Sequence, residues 1–234
     1  MIKRLIDLVA STAGLLIASP LLLPVIFFVW IEDKQSPFYI AARVGLNGKP
    51  FEMVKLRSMV INADRLGAHS TSNSDRRITP VGHFIRRYKL DELTQLWNVF
   101  TGDMSLVGPR PQVEAGVAVY TARERTLLNI RPGITDFASI VFSDEGSILA
   151  GQADPDIAYD QLIRPGKSLL GLFYIQNRSL WIDINLIWLT LVGIVSRPRA
   201  LVGVTALLRD LGADEALLEL AARSKPLLPR TPPE

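Results

Sequence analysis

The chain of 234 residues carries 26 Lys and Arg against 23 Asp and Glu, two His and no Cys, for a formal net charge of +3. Without cysteine there is no disulfide, thiolate nucleophile or zinc-thiolate site, so any metal chemistry falls to carboxylates and hard cations, with Mg²⁺ the natural candidate. The small basic excess forms no polybasic tract and implies no nucleic-acid partner, and the length suits one catalytic domain with extensions.

From Leu8 to Ile31, LVASTAGLLIASPLLLPVIFFVWI contains no charged residue and exceeds the ~20 residues a helix needs to cross a bilayer. The apolar run outlasts a signal-peptide core and puts Pro20 where a cleavage site would fall, so a retained membrane segment is expected. Pro20 and Pro24 remove backbone donors near its centre, which predicts a bend at Ser19-Pro20 with the Ser19 hydroxyl available to a freed backbone group. On residues alone a spanning helix and a re-entrant one stand even. Lys3 and Arg4 precede the run while Arg43, Lys49, Lys55 and Arg57 follow it, so the charges flanking it show no clear asymmetry.

Residues 36 to 59 read as a β-hairpin: Phe38, Ile40 and Ala42 alternate, Leu46-Asn47-Gly48-Lys49 supplies the turn, and Phe51 and Met53 return. The polar stretch 60 to 82 reads as a short helix and a loop. A helix is predicted over 83 to 103, with Leu90, Leu93, Leu96, Trp97 and Phe100 toward the core and Asp91, Gln95 and Asn98 along another side. Further helix is expected over 116 to 130, a turn at RPGITD and a strand at FASIVFS. SLWIDINLIWLTLVGIV is short for a span and suits a core helix or an interfacial one with Trp181 and Trp188 at the lipid boundary. One amphipathic helix over 201 to 224 and a disordered Pro-rich end complete an α+β, mostly helical chain.

Asp91 and Glu92 are the acids to explain. Adjacent helical residues point about 100 degrees apart, so both can border one pocket without stacking. The helix start and Arg86, Arg87 and Lys89 favour ionised carboxylates, which can attack phosphorus or hold Mg²⁺. Acids in a first helical turn are also commonplace, so the pair needs support. That comes from GDMSLVGPRP downstream, where Pro109 and Pro111 stiffen the chain around Arg110, whose guanidinium suits a phosphate. A rigid turn with a surface arginine is the plainer alternative.

Taken in order, KLRSM, TPVG, LDELTQLWNV, GDMSLVGPRP and RPGIT behind a Ser-Pro-broken apolar segment resemble the bacterial sugar transferases called monotopic phosphoglycosyl transferases, over about residues 1 to 195. The resemblance implies a re-entrant membrane helix over 1 to 34 broken at Ser19-Pro20, a catalytic domain over 35 to 200, and a C-terminal helix and tail over 201 to 234. It implies Asp91 as nucleophile and Mg²⁺ ligand and Glu92 in the metal site or in proton handling. Arg86 and Arg110 would bind phosphate or nucleotide, with Lys55 and Arg57 supporting the site or the membrane face. The reaction implied moves a phosphosugar from a UDP-sugar to polyprenyl phosphate and releases UMP. It opens the assembly of a surface glycan such as an exopolysaccharide or lipopolysaccharide, on the cytoplasmic face of the bacterial inner membrane. Membrane lipid is the implied partner, and a homo-oligomer is left open. Thr94 stands where the family usually has Pro, and Asp136-Phe137 replace the usual residues after PGIT.

Two rival readings compete with this one. Asp154-Pro155-Asp156 could hold metal as in nucleotide-sugar glycosyltransferases, although such triplets are frequent in turns. A non-catalytic membrane scaffold for a glycan assembly complex would need no Asp91. His69 and His83 are isolated, and Asp144-Glu145, a second acid pair, reads most simply as a polar loop that could line a sugar pocket.

Overall fold

A computed structural model describes residues 2–63 and 75–234. The stretch 64 to 74, which holds most of the expected loop and His69, lies outside the described residues. Helix α1 (Ile2–Asp33) is followed by the antiparallel hairpin β1 (Phe38–Val44) and β2 (Pro50–Leu56). Asn47 and Gly48 take positive φ in its turn (56° and 75°), the conformation that Asn and Gly adopt most readily. Ala41, Val44, Met53 and Leu56 face inward, so the alternating set Phe38, Ile40 and Ala42 is the outward face of the strand.

Helix α1 does not project from the body. Asp7, Ser11, Leu22, Val25 and Val29 are buried at helical spacing, one stripe along its whole length. Lys3, Arg4 and Asp7 bond to the 99–107 region at one end: Arg4 donates to the carbonyls of Val99 and Phe100, and Asp7 accepts from Ser105 Oγ at 2.9 Å and Leu106 N at 3.1 Å. At the other end Arg57 clamps Asp33 through two nitrogens, at 2.6 and 2.7 Å, and donates to the carbonyl of Ser36. Helical structure runs unbroken through Ser19-Pro20. Pro20 cannot donate to the Leu16 carbonyl, and the Ser19 hydroxyl does so instead at 2.8 Å, so the expected bend site stays helical. The opposite face leaves Leu16, Ile17, Leu23, Phe27, Phe28 and Ile31 exposed.

The single helix expected over 83 to 103 is three short ones: α2 (Pro80–Arg87), α3 (Leu90–Leu93) and α4 (Leu96–Thr101). Lys89 breaks the first junction in the left-handed region (φ 53°, ψ 32°), and Gly102 (φ 96°) ends α4. The expected core face is partly inverted. Leu90 and Leu96 are buried, but Trp97 and Phe100 are exposed and stack at 5.6 Å between ring centroids, while Gln95 and Asn98 are buried. The reason is polar: Asn98 accepts from Val54 N at 2.8 Å and donates to the Glu52 carbonyl at 2.7 Å, pairing with β2 as a neighbouring strand would.

Strands β3 (Ser105–Val107) and β4 (Gly133–Thr135) form a short parallel ladder. Around it the GPRP and RPGIT segments meet backbone to backbone: Gly108 N donates to the Thr135 carbonyl and Gly133 N to the Pro109 carbonyl, both at 3.0 Å. A Cβ on Gly133 would lie 2.1 Å from Gly108 N. Only glycine tolerates that approach, which ties two distant motifs together. Gly133→Ala is therefore expected to cost about 3 kcal/mol of stability by overpacking and to displace Arg110. Gly116→Ala, whose Cβ would meet nothing closer than 3.5 Å, is the control, and thermal melts compare the two.

Between these strands lie α5 (Glu114–Ala118) and a 3₁₀ turn (Glu124–Asn129), in place of one longer helix. FASIVFS, expected as a strand, folds as helix α6 (Phe137–Val141), because Asp136 caps it by accepting from Ser139 N at 2.7 Å. The short helices α7 (Glu145–Ile148) and α8 (Pro155–Ala158) lead through a π turn into α9 (Arg164–Asn177), then α10 (Leu180–Val195), α11 (Arg197–Asp210) and α12 (Glu215–Ala222). Helices α6, α9, α10, α11 and α12 share the largest apolar core. The helix expected over 201 to 224 is thus a pair split at Gly212 (φ 78°), with Asp214 capping α12. The tail expected to be disordered lies on the body, where Arg230 N donates to the Gln161 carbonyl and the Thr121 hydroxyl to that of Pro233. Helix α10 buries Ile182, Asp183 and Leu186 and exposes Trp181, Ile184, Trp188 and Leu191, the one-sided pattern of an interfacial helix.

Candidate active site

The left-handed Lys89 restarts the helix, so Asp91 and Glu92 fall in the first turn of α3, where the orphan amides favour carboxylates. They then diverge, as adjacent helical residues must. Asp91 Oδ2 lies 3.6 Å from Lys55 Nζ on β2, and Glu92 Oε1 accepts from Arg110 at 2.9 Å. The four side chains are between 16% and 30% exposed, screened but open to a ligand. Thr94 helps fix this arrangement: its hydroxyl lies 3.1 Å from the Val54 carbonyl, next to Lys55, and 3.0 Å from that of Asp91. Proline there could make neither bond, so the departure noted in the sequence has a local structural use.

Charge is concentrated here. Burial depresses the Lys55 ammonium and the Arg110 guanidinium depresses it further, against the opposing pull of Asp91 and Glu92. Burial also lowers Arg86, while Asp91 and Asp75 support its charge; its Nε donates to Ser58 Oγ at 3.1 Å. Burial works against the charged form of Glu92, yet Arg110, then Lys89 and Lys55, outweigh it and hold the carboxyl at about 2. Arg110 is pushed up in turn, chiefly by Glu92. Near neutral pH Glu92 is ionised, and Lys55, Arg86 and Arg110 outnumber the two acids, which suits a group as anionic as a diphosphate.

Of the residues expected from sequence, Asp91, Glu92, Lys55, Arg86 and Arg110 come together, and the buried Pro109 and Pro111 hold the Arg110 turn from either side. Arg57 does not join them. It lies just beyond the end of β2, buried against Asp33, Ser36 and Val29, where its charge is spent on the end of α1. Ser19 and Pro20 stay within α1. Asp154, exposed, caps α8 by accepting from Asp156 N and Ile157 N at 2.9 and 3.1 Å, an ordinary helix-start role.

Sequence reasoning missed Lys167. It pairs with Glu145 on α7 and lines a cavity together with Arg110, Gln112, Asp136 and Tyr159. Burial raises Glu145, but Lys167, then Arg110 and Lys55, bring it below the usual carboxylate range. The Asp144-Glu145 pair therefore splits, since Asp144 pairs outward with Arg197 and Arg223. Asp136 is pushed up by burial despite its bonds to Ser139. Within a helical pattern, Lys167 offered no signal that it would face Arg110.

Among the described residues no three His, Cys, Asp or Glu side chains form a metal cluster. Mg²⁺ is commonly held by one or two carboxylates plus substrate phosphates, and the partly exposed Asp91 and Glu92, each beside a cation, fit that donor set. The site does not fit a cage built by protein alone.

The sequence matches the bacterial sugar transferase family over residues 1–197. Similar proteins include an undecaprenyl-phosphate glucose phosphotransferase of Komagataeibacter xylinus, 38% identical over 200 residues, covering 81% of this chain and 35% of that protein. A UDP-galactose-lipid carrier transferase of Erwinia amylovora is 32% identical, covering 85% and 41%. A UDP-glucose:undecaprenyl-phosphate glucose-1-phosphate transferase of Caulobacter vibrioides is 33% identical, covering 85% and 71%. The chain thus spans well under half the length of the first two. With the family match running from α1 through the Asp91-Glu92 and Arg110 cluster to the start of α11, the chain belongs to the bacterial sugar transferases.

Proposed function

We propose that the protein transfers a sugar 1-phosphate from a UDP-sugar to a polyprenyl phosphate, through a phosphosugar carried on Asp91. The observation that carries this reading is the pairing of each acid with a different cation on a different element, Asp91 with Lys55 and Glu92 with Arg110. The names of the similar proteins, which include UDP-sugars and undecaprenyl phosphate, support it.

In the first half-reaction an Asp91 oxygen forms a bond to the phosphorus next to the sugar. The bond from that phosphorus to the bridging oxygen breaks, and UMP leaves with the oxygen. In the second, a phosphate oxygen of the polyprenyl phosphate attacks the same phosphorus. The Asp91 carboxylate is released and a polyprenyl diphosphosugar is formed. Lys55 and Arg110 offset the repulsion that an anionic nucleophile meets on approaching a diphosphate, and Arg86 adds a third cation behind α3. Glu92 keeps Arg110 aimed. Asp91 and Glu92 would hold Mg²⁺ with the donor phosphates, which adds charge neutralisation at the leaving group.

Splitting the transfer lets a water-soluble donor and a lipid acceptor use one site in turn. The placement of α1 supports the membrane half of the proposal. A helix of 32 residues, about 48 Å long, is bonded to the catalytic body at both ends and exposes an apolar face between them. Burial of that exposed face from one side keeps the body on that side of the bilayer, whereas a span would draw the bonded polar segments through it. The inner membrane, with the site facing the cytoplasm, is where UDP-sugars and polyprenyl phosphate meet, at the opening step of a surface glycan.

UMP release from a panel of UDP-sugars, measured with Mg²⁺ and polyprenyl phosphate, tests the proposal. Release dependent on one donor class supports it. No release with any donor from folded protein leaves the scaffold reading.

A further inference from the structure

A second cavity, of about 440 Å³, lies where the start of α1 meets the α9–α10 junction and the 129–131 turn. It shares with the Lys167 cavity only Ile130 among the residues lining them, and contains neither Asp91 nor Arg110. Four basic side chains line it, Lys3, Arg4, Arg131 and Arg178, against two acids, Asp7 and Asp183.

Both acids are hydrogen-bonded from within, and Asp183 is also paired with a cation. Asp183 accepts from Lys3 Nζ at 2.5 Å and from the Tyr174 hydroxyl at 2.6 Å, and Asp7 accepts from Ser105 and Leu106 N. The remaining cations meet only neutral partners or none. Arg4 donates to the carbonyls of Val99 and Phe100, Arg131 to that of Gly102, and Arg178, exposed, makes no hydrogen bond or ion pair among the described residues. Carbonyls orient guanidinium groups without cancelling their charge, so the cavity keeps a positive excess. Residues next to its lining in sequence are apolar and exposed: Ile2 at 67%, Leu5 at 63% and Trp181 at 56%. Oriented cations on or beside helices that also expose Trp and aliphatic side chains match the boundary where a lipid headgroup meets its chains.

We infer that this cavity binds the phosphate headgroup of an anionic membrane phospholipid, apart from the substrates' site. It rests on the membrane reading of α1 and α10. The bound headgroup would seat the N-terminal end of α1 at the bilayer surface, while the Arg57 clamp holds the other end to the body.

The test measures partition of the full chain onto phosphatidylcholine vesicles with and without added phosphatidylglycerol. Native protein should bind both and prefer the anionic vesicles. Arg131→Gln with Arg178→Gln should lose about 30-fold of the affinity for anionic vesicles, Arg178→Gln alone about 5-fold, with binding to phosphatidylcholine unchanged. Exposed Arg123→Gln with Arg125→Gln should change neither. Native mass spectrometry from mixed micelles should retain one phosphatidylglycerol per native chain and none on the double variant. Equal binding of native protein and the Arg178→Gln variant to anionic vesicles overturns the inference, as does displacement of the retained lipid by millimolar inorganic phosphate. Failure of native protein to bind any vesicle would instead overturn the membrane reading.

Discussion

Asp91→Asn is expected to reduce UMP release by about a thousandfold or more while leaving the fold intact, because an amide is isosteric with the carboxylate but is a poor nucleophile toward phosphorus. The structure makes this variant clean: Asp91 is half-buried, its recorded ion pair is with Lys55 at 3.6 Å, and neither belongs to the main apolar core. Lys55 carries an ammonium that burial already depresses, and removing the Asp91 charge should depress it further. The variant should therefore also bind donor differently, with the change in UDP-sugar affinity far smaller than that in turnover. Glu92→Gln should retain a measurable first half-reaction, since Glu92 touches Arg110 and positions it. Stopping the reaction after addition of radiolabelled UDP-sugar without acceptor, then digesting the protein, should place the label on the peptide that contains Asp91. Label elsewhere, or full turnover by Asp91→Asn, defeats the covalent account.

Much of this site was readable because its chemistry is local in sequence. LDEL and GPRP lie within twenty-two residues, and the order of short motifs was enough to name a family. What escaped reading was long-range. Asn98 looked like a solvent-facing polar residue, and nothing near it announces that its amide would pair with the backbone of Glu52 and Val54. Trp97 and Phe100, at core spacing, point outward because the polar side of their helix is the side that docks. The FASIVFS strand failed for a different reason: β-branched alternation is a weak preference, and one capping Asp136 beside the packed α9–α11 core outweighs it. The family resemblance grouped Arg57 with Lys55, yet the chain ends its strand between them and turns Arg57 toward Asp33. RPGITD was visible as a turn, while the mutual contact of Gly108 and Gly133, which makes both necessary, appears only in three dimensions.

Arg110→Met should lower both catalysis and stability, the second in a pH-dependent way. Removing the guanidinium takes away a cation placed for the donor phosphates, so kcat/KM for the UDP-sugar should fall by about a hundredfold to a thousandfold. It also leaves Glu92 half-buried without its hydrogen-bonded partner, at a cost of about 2 kcal/mol near neutral pH, less than for a fully buried pair because both groups keep solvent contact. In the native protein Glu92 is held at about 2 against an ordinary 4.5. A lowered folded-state pKa stabilises the protein above 4.5, and that contribution is lost as pH falls from 4.5 towards 2. In the variant the strongest pull lowering that carboxyl is gone and burial weighs more against its charge, a cost that protonation relieves on acidification. The stability gap between native protein and Arg110→Met, read from denaturant midpoints, should thus be widest near neutrality and close towards pH 3. In a Glu92→Gln background, adding Arg110→Met should open a gap that changes little with pH, because no carboxyl remains there to titrate in either protein. A gap that stays constant from pH 7 to 3 would mean that the Glu92–Arg110 pair does not set the electrostatics of this site, and the role given to Arg110 at the donor phosphates would lose its physical basis.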